Sequence, residues 1–139
     1  MAQAVQAAGQ AVRIGLIKKI IKRGVDLAKD DPAMIALLRE NPGESMLFYI
    51  KDLKAPFGIQ IEGTTLTFKD NPDITQPYSL IAQMTEDTVV RLIKGLDPMD
   101  AFFYNLIDVT GKGWFKRVMI LRKIFKLGEE RGLKQKVIH

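Results

Sequence analysis

The hydrophobic period changes twice along this chain, from 3.6 to 2 and back, and few folds accommodate that order. Over residues 12–29, steps of 100° put Ile14, Leu16, Ile17, Ile20, Ile21, Val25, Leu27 and Ala28 on one half of a helical wheel. The other half holds Lys18, Lys19, Lys22, Arg23, Asp26 and Lys29. Such an amphipathic basic helix either covers a core or lies on a membrane surface, and core is the expected role. Asp31-Pro32 then supplies an N-cap and an N1 proline for a short helix, Pro32 to Arg39, which stops at Asn41-Pro42-Gly43.

From Met46 the period becomes 2. The segments 46–53, 57–62, 66–69 and 78–85 are rich in β-branched and aromatic residues and are bounded by Pro, Gly, Asn and Asp, as strands are. Glu62-Gly63-Thr64-Thr65 predicts a hairpin between the second and third strands, and Asp70-Asn71-Pro72-Asp73 turns the chain towards the fourth. Helical signals return at Thr85, which caps a helix with Glu86 and Asp87 in its first turn and an end at Gly95. Asp97-Pro98 opens another helix, with Met99, Phe102, Phe103 and Leu106 at core spacing. Ile107 to Thr110 reads as a strand, and a last helix runs from Trp114 to about Leu127 with Trp114, Val118, Leu121 and Phe125 on one stripe. This order predicts an α+β domain with a mainly antiparallel sheet and helices stacked on one face. Residues 1–29 form a basic helix packed on the domain, 30–127 the domain itself, and 128–139 a polar tail.

Composition removes most catalytic classes. A chain of 139 residues, 47% of them hydrophobic, supports a core without covalent or metal staples. The absence of Cys excludes disulfide scaffolds, thiol nucleophiles and zinc ribbons. The one His is His139 and the only serines are Ser45 and Ser79, so a Ser–His–Asp nucleophile has almost no material. Thr110-Gly111-Lys112-Gly113 resembles a phosphate loop only superficially: Leu106 stands where the first Gly is required, and Gly113 where Ser or Thr is. The acidic pairs Asp30/Asp31, Glu86/Asp87 and Glu129/Glu130 and the spaced Asp97 and Asp100 sit at helix starts or solvated ends, which suits capping rather than a metal. No cofactor or metal is expected, and the protein is read as a non-enzyme. No stretch approaches the roughly 20 apolar residues of a membrane span, and no basic segment precedes the Ala-rich start as in an export signal. A soluble, cytoplasmic protein is expected.

The net charge of +5 is the sum of three unlike blocks: +5 over residues 1–29, −7 over 30–111 and +7 over 112–139. Both ends therefore suit an anionic surface or the acidic middle. No ribonucleoprotein motif, helix-turn-helix or basic strand with interleaved aromatics accompanies them, which disfavours nucleic acid.

The segment from Pro72 to Phe125, PDITQPYSLIAQMTEDTVVRLIKGLDPMDAFFYNLIDVTGKGWFKRVMILRKIF, resembles the sterol carrier protein type two family of lipid-binding domains. The likeness lies in an ordered set: Asp73, an apolar strand to Thr85, Gly95-Leu96-Asp97-Pro98, Met99-Asp100-Ala101-Phe102, a strand from Ile107 to Gly111, and an apolar helix from Trp114. With the preceding strands it covers about residues 30–127. The turn Tyr104-Asn105-Leu106 departs from the family's usual Gly-Lys-Leu type. The chain closes Lys136-Val137-Ile138-His139 rather than on a Ser-Lys-Leu-type peroxisomal signal, which suits a prokaryotic-style stand-alone member.

The resemblance implies a five-stranded sheet with helices on one face enclosing an apolar tunnel for a lipid chain. The lipid-contacting residues would be Phe48, Ile50, Ile61, Phe68 and Met84 from strands, with Val89, Leu92, Met99, Phe102, Phe103, Leu106, Val118 and Leu121 from helices. From the residues alone, Met and Phe in that number either fill a core or line a slot; the resemblance favours the slot. A sixteen-carbon chain offers on the order of 12 kcal/mol of gross transfer energy at ~0.8 per methylene. Lys18, Lys19, Lys22 and Arg23 would add roughly 1 kcal/mol each in transient docking on an anionic membrane. The partner expected is thus a long-chain lipid; oligomeric state is left open. Two other roles stay in view: an accessory factor presenting a lipid precursor for quinone synthesis, and a peripheral membrane module with a filled core.

Overall fold

The computed structural model describes residues 2–40, 43–63 and 65–111, together with Val118, Leu121, Arg122, Phe125 and Lys126. Among the described residues up to Gly111 the elements are α1 (Ala2–Ala28), α2 (Pro32–Glu40), β1 (Ser45–Ile50), β2 (Ala55–Glu62), β3 (Thr65–Lys69), β4 (Leu80–Met84), α3 (Glu86–Ile93), α4 (Pro98–Phe103) and β5 (Ile107–Thr110). Val118, Leu121, Arg122, Phe125 and Lys126 are helical as well. Trp114 and the expected tail 128–139 lie outside the described residues.

Caps explain the helix starts. Asp31 Oδ1 accepts from the Ala33 amide at 2.9 Å, Thr85 Oγ1 from Thr88 at 3.4 Å, and Asp97 Oδ1 from Met99 at 2.9 Å. The Glu86 amide also donates to Asp52 Oδ1 in the β1–β2 turn at 2.8 Å, which locks α3 onto the sheet. At the other end of the chain, α1 starts about ten residues earlier than its apolar periodicity. The Ala- and Gln-rich sequence before Val12 carries no amphipathic signal, but these are good helix formers, Ala above all.

The sheet order is β3-β2-β1-β4-β5. It is mixed, which corrects the expectation of a mainly antiparallel sheet: β1 and β4 run parallel, with Phe48 opposite Ala82 and Ile50 opposite Met84. The expected hairpin between the second and third strands is present as β2–β3, with Glu62 opposite Thr65. The turn residues at Asp70–Asp73 do not close another hairpin. Instead residues 70–79 cross the sheet and deliver β4 to the free edge of β1, where the Ser79 amide donates to the Ser45 carbonyl at 2.8 Å. Turn chemistry reveals a change of direction; which edge receives the next strand depends on which edge remains unpaired.

Because directly opposed residues share a face, the register defines two unlike surfaces. Met46, Phe48 and Ile50 of β1 share a face with Phe57 and Ile59 of β2 and with Ala82 and Met84 of β4, and all are buried. The opposite face carries Gln60, Thr67, Lys69, Gln83 and Asp108, with Leu47, Tyr49 and Ile81 among them. The crossing connection passes over it, with the Pro72 Cβ 3.4 Å from where a side chain on Gly58 would begin. Hydrogen bonds from the Thr75 hydroxyl and then its amide hold the Asp73 carboxyl below its usual pKa. Partial burial, and then the Asp73 charge, push the Tyr78 phenol up.

Helices cover the apolar face. α1 contributes Ile17, Ile21, Val25 and Ala28 to the core and is pinned at two points. Arg13 Nε meets Glu86 Oε2 of α3 at 2.9 Å, and Lys18 Nζ meets Asp70 Oδ1 at 3.0 Å and the Asp70 carbonyl at 2.8 Å.

Candidate functional site

Between the apolar face of the sheet and its helical cover lies a cavity of about 20 Å³, room for little more than one water-sized sphere. Its floor is Phe48, Phe57, Ala82 and Met84, with Ile107 and Val109 from β5. Its roof comes from four places in the chain: Ile21 of α1, Val89 and Leu92 of α3, Pro98 and Phe102 of α4, and Val118, Leu121 and Phe125. Every described lining residue is apolar, so the cavity offers dispersion and removal from water and no group that donates or accepts a proton.

Seven of the thirteen expected lipid-contacting residues meet here: Phe48, Met84, Val89, Leu92, Phe102, Val118 and Leu121. Ile50 and Ile61 are buried on the same sheet face but outside this lining. Phe68 is partly buried and stacks on Phe57 with ring centroids 6.0 Å apart. Leu106 packs against the core edge and Met99 is half-buried. Phe103 corrects the expectation that it faces inward: it is 67% exposed and meets Phe102 edge-on. Adjacent helical residues point 100° apart, so a one-sided helix that buries Ala101 and turns Phe102 inward must turn Phe103 out. Phe57, Ile107 and Val109 were missing from the expected set, although strict alternation in FGIQIE and IDVT places them with their buried neighbours.

The basic residues assigned to a membrane surface do not act alike. Lys18 is drawn against the body of the protein by Asp70, its side chain only 14% exposed. Lys19, Lys22 and Arg23 lie on the exposed side of α1. Leu16 and Ile20, expected on the buried half, are 56% and 48% exposed and with Val12 form an outward stripe at i, i+4 and i+8. The apolar arc of α1 is too wide for one contact: Ile17, Ile21 and Val25 use its centre, and this second edge is left outside.

A mixed five-stranded sheet with one apolar face, roofed by helices around an apolar cavity, defines a small α+β domain of the sterol carrier protein 2 fold. Solved structures carry the likeness. The chain matches "UbiJ-SCP2 Ubiquinone synthesis protein" with a TM-score of 0.59 at 9% identity, over 92% of this chain and 99% of that one. It matches a crystal structure of sterol carrier protein 2 with a TM-score of 0.57 at 9% identity, over 81% of this chain and 95% of the other. Sterol carrier protein 2 from Yarrowia lipolytica, in its apo form, gives 0.54 at 12% identity over 81% and 88%. The sequence itself matches no protein-family model and no curated protein sequence.

Proposed function

We propose that this protein binds a long-chain lipid between the sheet and its helical cover and carries it without chemical change. The observation that supports this most directly is the wholly apolar boundary assembled from the sheet and four separate pieces of helical cover. A ligand there gains burial at about 25 cal/mol per Å² and meets no polar group that would need a partner. An alkyl chain needs far more than about 20 Å³, so binding displaces the cover. α3 and α4 are only eight and six residues long, and shifting them breaks none of the β-ladder. The protein as purified under mild conditions is expected to carry lipid in native mass spectrometry and to change the emission of a fluorescent fatty acid. Calorimetric titration should give a negative heat-capacity change, the mark of apolar burial. A protein that stays ligand-free and leaves the probe unchanged would sink the reading.

Membrane contact in this reading falls to the outer side of α1, where Val12, Leu16 and Ile20 run beside Lys19, Lys22 and Arg23. No described helix is long and apolar enough to cross a membrane, so the contact is interfacial, with apolar residues among basic ones. Removing α1 would also strip Ile17, Ile21, Val25 and Ala28 from the core; point substitutions are the cleaner test. The double change Leu16→Glu, Ile20→Glu is expected to weaken sedimentation with phosphatidylglycerol vesicles about tenfold or more. Because both sites are exposed, thermal stability should stay within about 0.5 kcal/mol per site. Unchanged vesicle binding would remove α1 from the docking surface.

A second reading is favoured by the near-complete overlap with the ubiquinone synthesis protein: the bound lipid is a quinone precursor presented to biosynthetic enzymes. Loss of quinone in a deletion strain, restored by the intact chain, together with co-purification of those enzymes, would select it over free transfer.

A further inference from the structure

The apolar cavity has a charged neighbour. Gly95, Leu96, Asp97, Pro98, Arg122 and Lys126 surround a surface cleft of about 210 Å³. Pro98 is buried and lines both spaces, so the cleft and the cavity adjoin at this residue. We propose that this cleft holds the anionic head of a single-chain amphiphile whose tail lies in the apolar layer; the inference rests on the lipid-carrier reading above.

Polarity places the head outside. No side chain of the described cavity lining offers a hydrogen-bond partner, and an unpaired polar or charged group is costly to bury. A lipid head must therefore stop at the rim. At this rim the acid is already committed: Asp97 Oδ1 caps α4 by accepting from the Met99 amide at 2.9 Å, and Oδ2 accepts from Arg122 Nε at 2.7 Å. With Arg122 offsetting Asp97, Lys126 one helical turn further on leaves the described lining of the cleft with a net positive charge. The Arg122 guanidinium carries four N–H donors besides the Nε–H given to Asp97, the one hydrogen bond it makes among the described residues. An Arg held by Asp97 and an exposed Lys, together with the apolar Leu96 and Pro98, suit a compact anion joined to an alkyl chain. Carboxylate and phosphate heads share that chemistry.

Calorimetric or displacement titration of the full chain with hexadecanoate, hexadecyl phosphate and hexadecanol tests this directly. The wild type should bind one or both anions more tightly than the alcohol, and the anion preferred identifies the head. Lys126→Ala should weaken the preferred anion about fivefold, as one partly exposed ion pair would, and Lys126→Glu should weaken it further, with hexadecanol unchanged. Raising the salt concentration should shrink the preference. If hexadecanol binds as tightly as both anions, or if Lys126→Glu weakens all three alike, the headgroup site is wrong while the carrier reading stands. If none of the three binds, the carrier reading fails and takes the headgroup site with it.

Discussion

Phe48→Ala should cost about 3 to 5 kcal/mol of folding stability, the range for removing a buried aromatic ring from a core. Phe48 is 2% exposed on β1, the middle strand, and stacks on Phe57 with centroids 4.9 Å apart and planes 10° from parallel. It also borders the existing cavity of about 20 Å³. The new void therefore joins an old one, and the strand beneath it is held by ladders on both sides, which limits collapse. Domains of this size are stable by only about 5 to 15 kcal/mol, so the loss is a large share of the total. Urea denaturation should show a much lower midpoint with an unchanged slope. A loss under about 1 kcal/mol would mean that the ring is not packed as described. The milder Phe48→Leu keeps most of the volume and has a functional use: if the lipid displaces core side chains, a smaller side chain here should raise affinity for a long-chain probe.

Gly111→Ala should destabilise by about 2 to 4 kcal/mol for a different reason. Gly111 follows β5 with φ +136, a conformation that L side chains rarely adopt, and a Cβ there would lie 2.5 Å from the Ser79 carbonyl oxygen and 3.4 Å from the Leu80 Cα. The obstacle is backbone at the start of β4, which cannot rotate away as a flexible side chain could. Relief requires the end of β5 to lift from β4, so hydrogen exchange should accelerate at Ile81 and Gln83, whose partners are Thr110 and Asp108. Gly63→Ala is the control: its φ is +62 and nothing stands within 4 Å, so it should cost only about 1 kcal/mol. Equal losses at the two sites would show that backbone conformation, and not the contact with Ser79, sets the cost at Gly111.

Features legible in the sequence were those whose cause is local. Asp31-Pro32, Thr85 with Glu86 and Asp87, and Asp97-Pro98 each satisfy helix amides within a few residues, and the structure places α2, α3 and α4 where they stand. Alternation likewise located five strands, with errors only at the ends: β1 stops at Ile50, since Lys51 to Lys54 form the turn into β2, and Lys54 adopts φ +51 there. Less legible were features that depend on a distant partner. Phe102 and Phe103 are equally apolar neighbours, and only the position of the sheet decides which turns inward. Leu16 and Ile17 differ in the same way, one exposed and the other at 5%. Lys18 reads as one cation of a basic face until Asp70, 52 residues away, is found beside it.

The sequence by itself therefore determined the inventory: an α+β chain with five strands, capped short helices and enough apolar residues for one core, because periodicity and capping act within a turn or a strand. Tertiary structure alone decided the parallel pairing of β1 with β4, the convergence of helical residues from four places in the chain over Phe48 and Phe57, and the placing of Arg122 and Lys126 beside Pro98. The physical reason is that edges, faces and charged rims are occupied by whichever segment reaches them once the other elements have packed.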